Sequence, residues 1–226
     1  MNQEMKIYLR STPVIESGDP LVAAFAREYA GDATDAKTRA VRLYYGVRDG
    51  IRYDPYSIDL SVEGLRATAT LKAMRGWCVA KAILLAACCR SMGIPARLGF
   101  ADVRNHLSTA RMRQLMKTDI FYWHGYTSIR IHEKWVKATP AFNIELCRRF
   151  NIWPLEFDGE QDSLYQPFDM DGNRHMEYLN YRGEYDDVPI DAIRETFIRE
   201  YMPNESWQAG DFDQEVKVET SGDPKV

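Results

Sequence analysis

The chain has 226 residues, 45% of them apolar and 27% charged, with a formal net charge of -4. This is a globular mix, long enough to bury one sizeable core without covalent staples. A weakly acidic chain with no basic stripe argues against a nucleic-acid partner. No stretch reaches the ~18 apolar residues of a membrane span. Met1 to Lys6 lacks the apolar core of a secretory leader, so a cytoplasmic location away from membranes is expected.

Residues 1–15, with Ile7, Leu9, Val14 and Ile15, read as a short strand against the body. Asp19-Pro20 starts a helix, aspartate as cap and proline at the first turn, which stops near Gly31. A second helix begins at Thr34 or Asp35, shows Ala40, Val41, Leu43, Tyr44 and Val47 on one face, and ends by Gly50. Ile51 to Tyr56 is extended and broken by Pro55. Residues 61–73 hold a short helix. Residues 78–92 form the clearest helix, with Gly93 as its C-cap and Pro95 barring continuation. Ala96 to Phe100 is a strand, and Ser108 to Met116 has a helical pattern. Phe121 to Ile131 and Trp135 to Thr139 are strands joined by the turn His132-Glu133-Lys134.

Residues 144–150 look helical. In 154–190, Asp171-Gly172 marks a turn between short strands; its neighbours Asp169 to Asn173 lack calcium-loop spacing. A last helix runs from about Asp191 to Tyr201. Past Gly210 there are five acids, two lysines and one aromatic, so residues 205–226 are expected to form a disordered acidic tail.

Of four cysteines, Cys78 stands apart. It follows the turn Arg75-Gly76 at the start of an apolar helix, where free N–H groups and the helix dipole favour a thiolate. Cys88, Cys89 and Cys147 are assigned to packing. Cys78 and Cys89 lie about 16 Å apart along a helix, beyond disulfide reach, and no zinc spacing occurs. A thiol nucleophile needs a base. Among His106, His124, His132 and His175, the best placed is His124, inside a strongly patterned strand.

The order Cys78 at a helix start, Gly93-Ile94-Pro95-Ala96-Arg97 at its end, His124 on a strand, then Trp135-Val136 and Pro140, resembles the transglutaminase-like family. That family carries a Cys helix ending in G-I-P-A-R, then H-A-W, then W-x-x-x-D-P. Arg75 to Cys78 is also faintly similar to the R-G-G-x-C motif of arylamine acetyltransferases, but the downstream pattern favours the first family. The resemblance covers about residues 40–145. It implies an α+β, papain-like transglutaminase core, with N-terminal helices and the Cys helix packed on an antiparallel sheet. One domain over 1–204 follows, with 146–204 as an extension of that core.

The resemblance also implies acyl transfer on a peptide or protein amide through a Cys78 acyl-enzyme, with His124 as general base and neither cofactor nor metal. Cysteine-protease-like hydrolysis is preferred. Transglutaminase-type acyltransferase activity differs only in which nucleophile reaches the thioester. A catalytically inactive binding member is the third reading, raised by one departure: the family's aspartate falls on Thr139. If Ala141 stood opposite His124, Thr139 and Asn143 would lie at its diagonals, and Asn143 would orient the ring as in Cys-His-Asn sites. Asn143 is preferred over Thr139, with Asp102 and Glu177 as further substitutes. Oxyanion or substrate contacts are assigned to the Cys78 N–H and to Trp77, Tyr53 and Asp102. Oligomeric state is left open.

Overall fold

The computed structural model describes residues 3–106, 108–201 and 210–221. Two capped helices open the body. Asp19 accepts the Leu21 N–H at 2.8 Å and starts α1 (Pro20–Ala30); Asp35 accepts the Thr38 N–H at 2.8 Å and starts α2 (Ala36–Gly50). Their buried faces, Val22 and Ala26 on one and Leu43, Tyr44 and Val47 on the other, pack on each other and on the central helix.

After α2 come β1 (Arg52–Tyr53), α3 (Val62–Leu65), α4 (Ala67–Ala73) and β2 (Arg75–Gly76). β1 and β2 pair in parallel, Tyr53 opposite Gly76, two residues before Cys78. The next helix, α5 (Cys78–Ser91), is buried from Cys78 through Arg90. A helix enclosed on all sides has to satisfy its one lysine internally. Lys81 Nζ donates to Arg48 O (2.9 Å) and Ile51 O (2.5 Å), where α2 ends and carbonyls lack helical partners. Burial pulls this amine down to about 7.

The main sheet runs β5-β4-β3-β6, all antiparallel. Its strands are β3 (Ala96–Asn105), β4 (Ile120–Ile131), β5 (Lys134–Ala138) and β6 (Met176–Tyr185). Helix α6 (Ala110–Met116) links β3 to β4, and α7 (Ile144–Arg149) follows β5. Ile131 pairs with Lys134, so the hairpin turn is His132-Glu133, both at positive φ. Helix α5 lies on β4 and β3, and Thr127 Oγ1 donates to Ala82 O at 2.8 Å across that contact. This is the α+β, papain-like transglutaminase arrangement, with the Cys helix packed on an antiparallel sheet.

Three expectations need correction. The N-terminal segment is a 3₁₀ helix, Gln3–Leu9, not a strand. It is held by side chains, the Tyr8 ring meeting Trp135 edge-on at 5.1 Å. Residues 154–190 do contain the Asp171-Gly172 turn, flanked by the Phe168–Arg174 bridge, but also the ten-residue strand β6 of the main sheet. The tail expected to be disordered contains α9 (Phe212–Thr220). Its Phe212 and Val216 are buried, and Glu215 accepts the Tyr56 hydroxyl at 2.5 Å. Two apolar anchors and a charge contact hold a segment whose composition alone reads as tail. Residues 205–209 and 222–226 of that expectation lie outside the described residues. Helix α8 (Ile190–Tyr201) packs on β4 and α6. Among the described residues no helix is long and apolar enough to cross a membrane.

Candidate active site

Cys78 is the first residue of α5, and the backbone of Trp77 forms its N-cap. A buried helix starting there aims unpaired N–H groups at the thiol region. Beside it runs β4, and the approach is close because residue 125 is glycine. A Cβ at Gly125 would stand 3.0 Å from Val79 Cα and 3.1 Å from Val79 Cγ2. The residue after Cys78 thus touches the residue after His124. Cys78 and His124 line one cavity of about 360 Å³ with Tyr53, Trp77, Phe121 and Tyr201. None of its lining residues is charged.

Burial sets the electrostatics. It pushes the Cys78 thiol up to about 11, against the pull of the Gly125, Val79 and Cys78 N–H groups on the sulfur. It drives the His124 imidazole down to about 4, and the nearby His175 adds to the shift. Each group, taken alone, is held neutral. The thiolate expected from the helix start is therefore outweighed by desolvation. Among the described residues no carboxylate acts on His124 to stabilise an imidazolium.

The shape of β4 around His124 depends on Asp102. Ala101 pairs with His124 and Val103 with Phe121, so Tyr122 and Trp123 together oppose Asp102 in a bulge. Trp123 takes φ +60° there. Its N–H is accepted by Asp102 Oδ1 at 3.2 Å, and the carboxylate also holds Arg182 through Nε (2.9 and 3.0 Å) and Nη2 (2.9 Å). The guanidinium lies 5.0 Å from the Trp123 ring centre. Asp102 is thus consumed by the scaffold and does not line the cavity; its expected place in substrate or oxyanion contact is not realised.

The remaining candidates separate. Tyr53 and Trp77 join Cys78 and His124 at the cavity. Asn143 does not: its Oδ1 accepts the Tyr53 N–H at 3.1 Å, where it precedes α7. The pairing that would have set Asn143 diagonal to His124 stops at Ala138. Thr139 instead gives its N–H to Ser163 O at 2.9 Å, and Pro140 has no N–H for the ladder. Glu177 binds His106 Nε2 at 2.7 Å. Thr139 is buried and lines a second cavity, about 350 Å³, with His124 and His175.

His175 was singled out by nothing in the sequence. It follows a turn in 154–190, and only the fold of that segment, bonded along the edge of β5 at Ser163 and leading into β6 beside β3, carries it to the cavity shared with His124. Tyr178 and Tyr201, whose phenols a Cys78 thiolate would push up, are likewise far along the chain. All four cysteines are buried and free.

Residues 23–140 match the model of the transglutaminase-like superfamily. The chain belongs to that superfamily. Among curated proteins, none matches. Among solved structures it is similar to a "putative cysteine protease" from Cytophaga hutchinsonii, at 17% identity and TM-score 0.49 over 62% of this chain and 43% of that one. It is also similar to a "putative protease" from Parabacteroides distasonis, at 13% identity and TM-score 0.37 over 56% and 26% of the two chains. The chain thus matches less than half the length of either structure.

Proposed function

We propose that this superfamily member is a thiol-dependent amide hydrolase that acts on substrates with an apolar acyl group, through an acyl-enzyme on Cys78. The observation that carries the reading is the shared cavity: a thiol at the start of a buried helix and an imidazole on the strand pressed against it. His124, neutral down to about pH 4, accepts the thiol proton as Sγ attacks the carbonyl carbon. The developing oxyanion is served by the Cys78 N–H. Collapse of the intermediate breaks the C–N bond, and the amine leaves with the proton from His124. Water, deprotonated by His124, then attacks the thioester and releases the acid and the thiol.

The cavity wall supports the substrate class. Met112, Met116, Phe121, Phe197 and Tyr201 offer apolar surface and no charged partner, and an ionised side chain there would lose its hydration without compensation. The test uses two activated esters, 4-nitrophenyl 3-phenylpropanoate and 4-nitrophenyl succinate, with intact-mass detection. The phenylpropanoyl adduct is expected on Cys78, absent in Cys78→Ser and formed about 100-fold more slowly in His124→Ala. Equal acylation by the anionic ester removes the substrate class. No adduct, or one indifferent to His124, removes the catalytic reading. Added amine separates transfer from hydrolysis by the product formed.

A further inference from the structure

The hollow that holds Cys78 does not end at His124, because the same histidine lines the second cavity of about 350 Å³. A third hollow, about 320 Å³, shares walls with both. Tyr53 and Phe121 are common to it and the Cys78 cavity, and Phe142, Ile152 and His175 to it and the second. The three form one trough that passes the thiol and the imidazole. Among the described residues no carboxylate, lysine or arginine lines any part of it. Burial pushes His175 down to about 4, so at neutral pH it adds no charge.

The second cavity opens to the surface on aromatic rings. Trp153 and Tyr165 both line it, and they are 59% and 37% exposed. Phe168 and Met170, on the segment that follows Tyr165, are exposed as well. The wall is held in place. The Met170 N–H donates to Asn151 O at 2.8 Å and Asn151 Nδ2 to Asp171 Oδ2 at 2.7 Å, which fastens the turn beside Trp153. The His175 N–H donates to Pro167 O at 2.9 Å, and the Tyr165 ring lies 4.7 Å from that of Tyr178. Exposed aromatic surface leading into a walled apolar hollow marks a ligand site. All the residues lining this cavity except His124 and Thr139 lie past residue 140, where the match to the superfamily ends.

We propose that this second cavity binds the amine half of the substrate, and that it selects an uncharged aromatic group there through Trp153 and Tyr165. The proposal rests on the reading of Cys78 and His124 as nucleophile and base, and it extends the substrate class from the acyl side to the leaving side. The amine departs with the proton from His124, so it must lie beside that ring while the acyl group stays on Cys78. A cavity with His124 on its wall and Cys78 outside its lining meets that need. An ionised group would lose its hydration there without a counter-charge, whereas a flat ring gains contact with the two aromatic rings at the mouth. The residues past 140 thereby choose the amine, and the core matched to the superfamily carries the thiol and the imidazole.

The deciding experiment is independent of turnover. Binding to the full chain carrying Cys78→Ala is measured by calorimetry for three amides of 3-phenylpropanoic acid, with benzylamine, methylamine or β-alanine as the amine half. The benzyl amide is expected to bind about tenfold or more tightly than the methyl amide, and the β-alanine amide no more tightly than the methyl amide. Trp153→Ala and Tyr165→Ala, each added to Cys78→Ala, should bring the benzyl preference down to about threefold or less. Melting temperatures serve as the folding control, and the exposure of Trp153 makes its variant the safer of the two.

Equal binding of the benzyl and methyl amides, tightest binding of the β-alanine amide, or a benzyl preference indifferent to both Trp153→Ala and Tyr165→Ala overturns the proposal. Met116→Ala, at the acyl end of the trough, should weaken the benzyl and methyl amides alike; a benzyl preference lost there instead would put the ring at the wrong end and overturn it too. Wild-type acylation by the nitrophenyl ester is scored apart. No adduct with the benzyl preference intact removes the catalytic reading and leaves the cavity as a binding site for aromatic groups. An adduct on Cys78 without the preference removes the amine site alone.

Discussion

Thr139→Asp restores the acid that the superfamily carries at this position, and its effect follows from the electrostatics of the pair. With Cys78 at about 11 and His124 at about 4, moving the proton from sulfur to nitrogen costs about 9–10 kcal/mol before the two charges attract. Attraction between charges about 4 Å apart returns about 4 kcal/mol at a dielectric of about 20. The wild-type pair is therefore a thiol beside a neutral imidazole, and its acylation is expected to slow only as pH drops through about 4. A carboxylate at 139, across the cavity shared with His124, raises a neighbouring base by about 1–3 units. The sign is fixed: the base works unprotonated, so the acid limb of kcat/KM moves up to between about pH 5 and 7. The assay is the pH profile of acylation, with a titration of the His124 ring alongside. Thr139→Asn supplies similar bulk without charge and should leave the limb near its wild-type position. An unmoved limb in Thr139→Asp, or an equal shift in Thr139→Asn, would refute the electrostatic argument.

Three further outcomes are expected. His124 and His175 both protonate near 6.5 when unfolded and near 4 when folded, so the unfolded chain binds more protons in between. Stability should fall as pH drops from about 6.5 to about 4, by up to about 3 kcal/mol for each ring, with no contribution from them above that window; urea unfolding at pH 4.5 and 7 should show a smaller difference in His175→Phe than in wild type. Gly125→Ala forces a methyl against the Val79 backbone, and a loss of about 1–3 kcal/mol together with slower acylation of Cys78 is expected; unchanged acylation would mean that the contact does not set the pair's spacing. Phe212→Ala removes the α9 anchor that packs 5.8 Å from both Tyr53 and Tyr56, and a loss of about 3 kcal/mol in chemical unfolding is expected, whereas no change would show that α9 adds nothing to the fold.

Much of the scaffold was legible along the chain because it rests on local signals. Asp19-Pro20 and Asp35 mark helix starts by capping chemistry, and Gly93 with Pro95 ends the Cys helix through backbone geometry. The His strand and its hairpin partner follow from alternation around a polar turn. β6 was hidden because it is an edge strand with two bulges against β3 and half-exposed residues along most of its length, so no two-residue period survives. Helix α9 was hidden because two buried side chains anchor a segment that is otherwise charged.

The site divides in the same way. Cys78 and His124 were found from sequence, as were Tyr53 and Trp77 beside them, because a helix start and a patterned strand announce where those side chains sit. The third position was not settled there. Strand periodicity favoured Asn143 on the assumption that β5 continued, and a proline ended the ladder first. Asp102, polar and near the strand, is spent on Arg182 and the Trp123 bulge. His175 reaches the cavity behind His124 only because residues 154–190 return along the edge of β5 and then pair with β3, and no local pattern brings together residues fifty-one positions apart. Sequence alone picked out the thiol at the helix start, the imidazole on the strand and the helices and strands that carry them, since each depends on neighbours in the chain. Tertiary structure decided what stands behind the base and how charged the pair is, since burial and distant contacts set both.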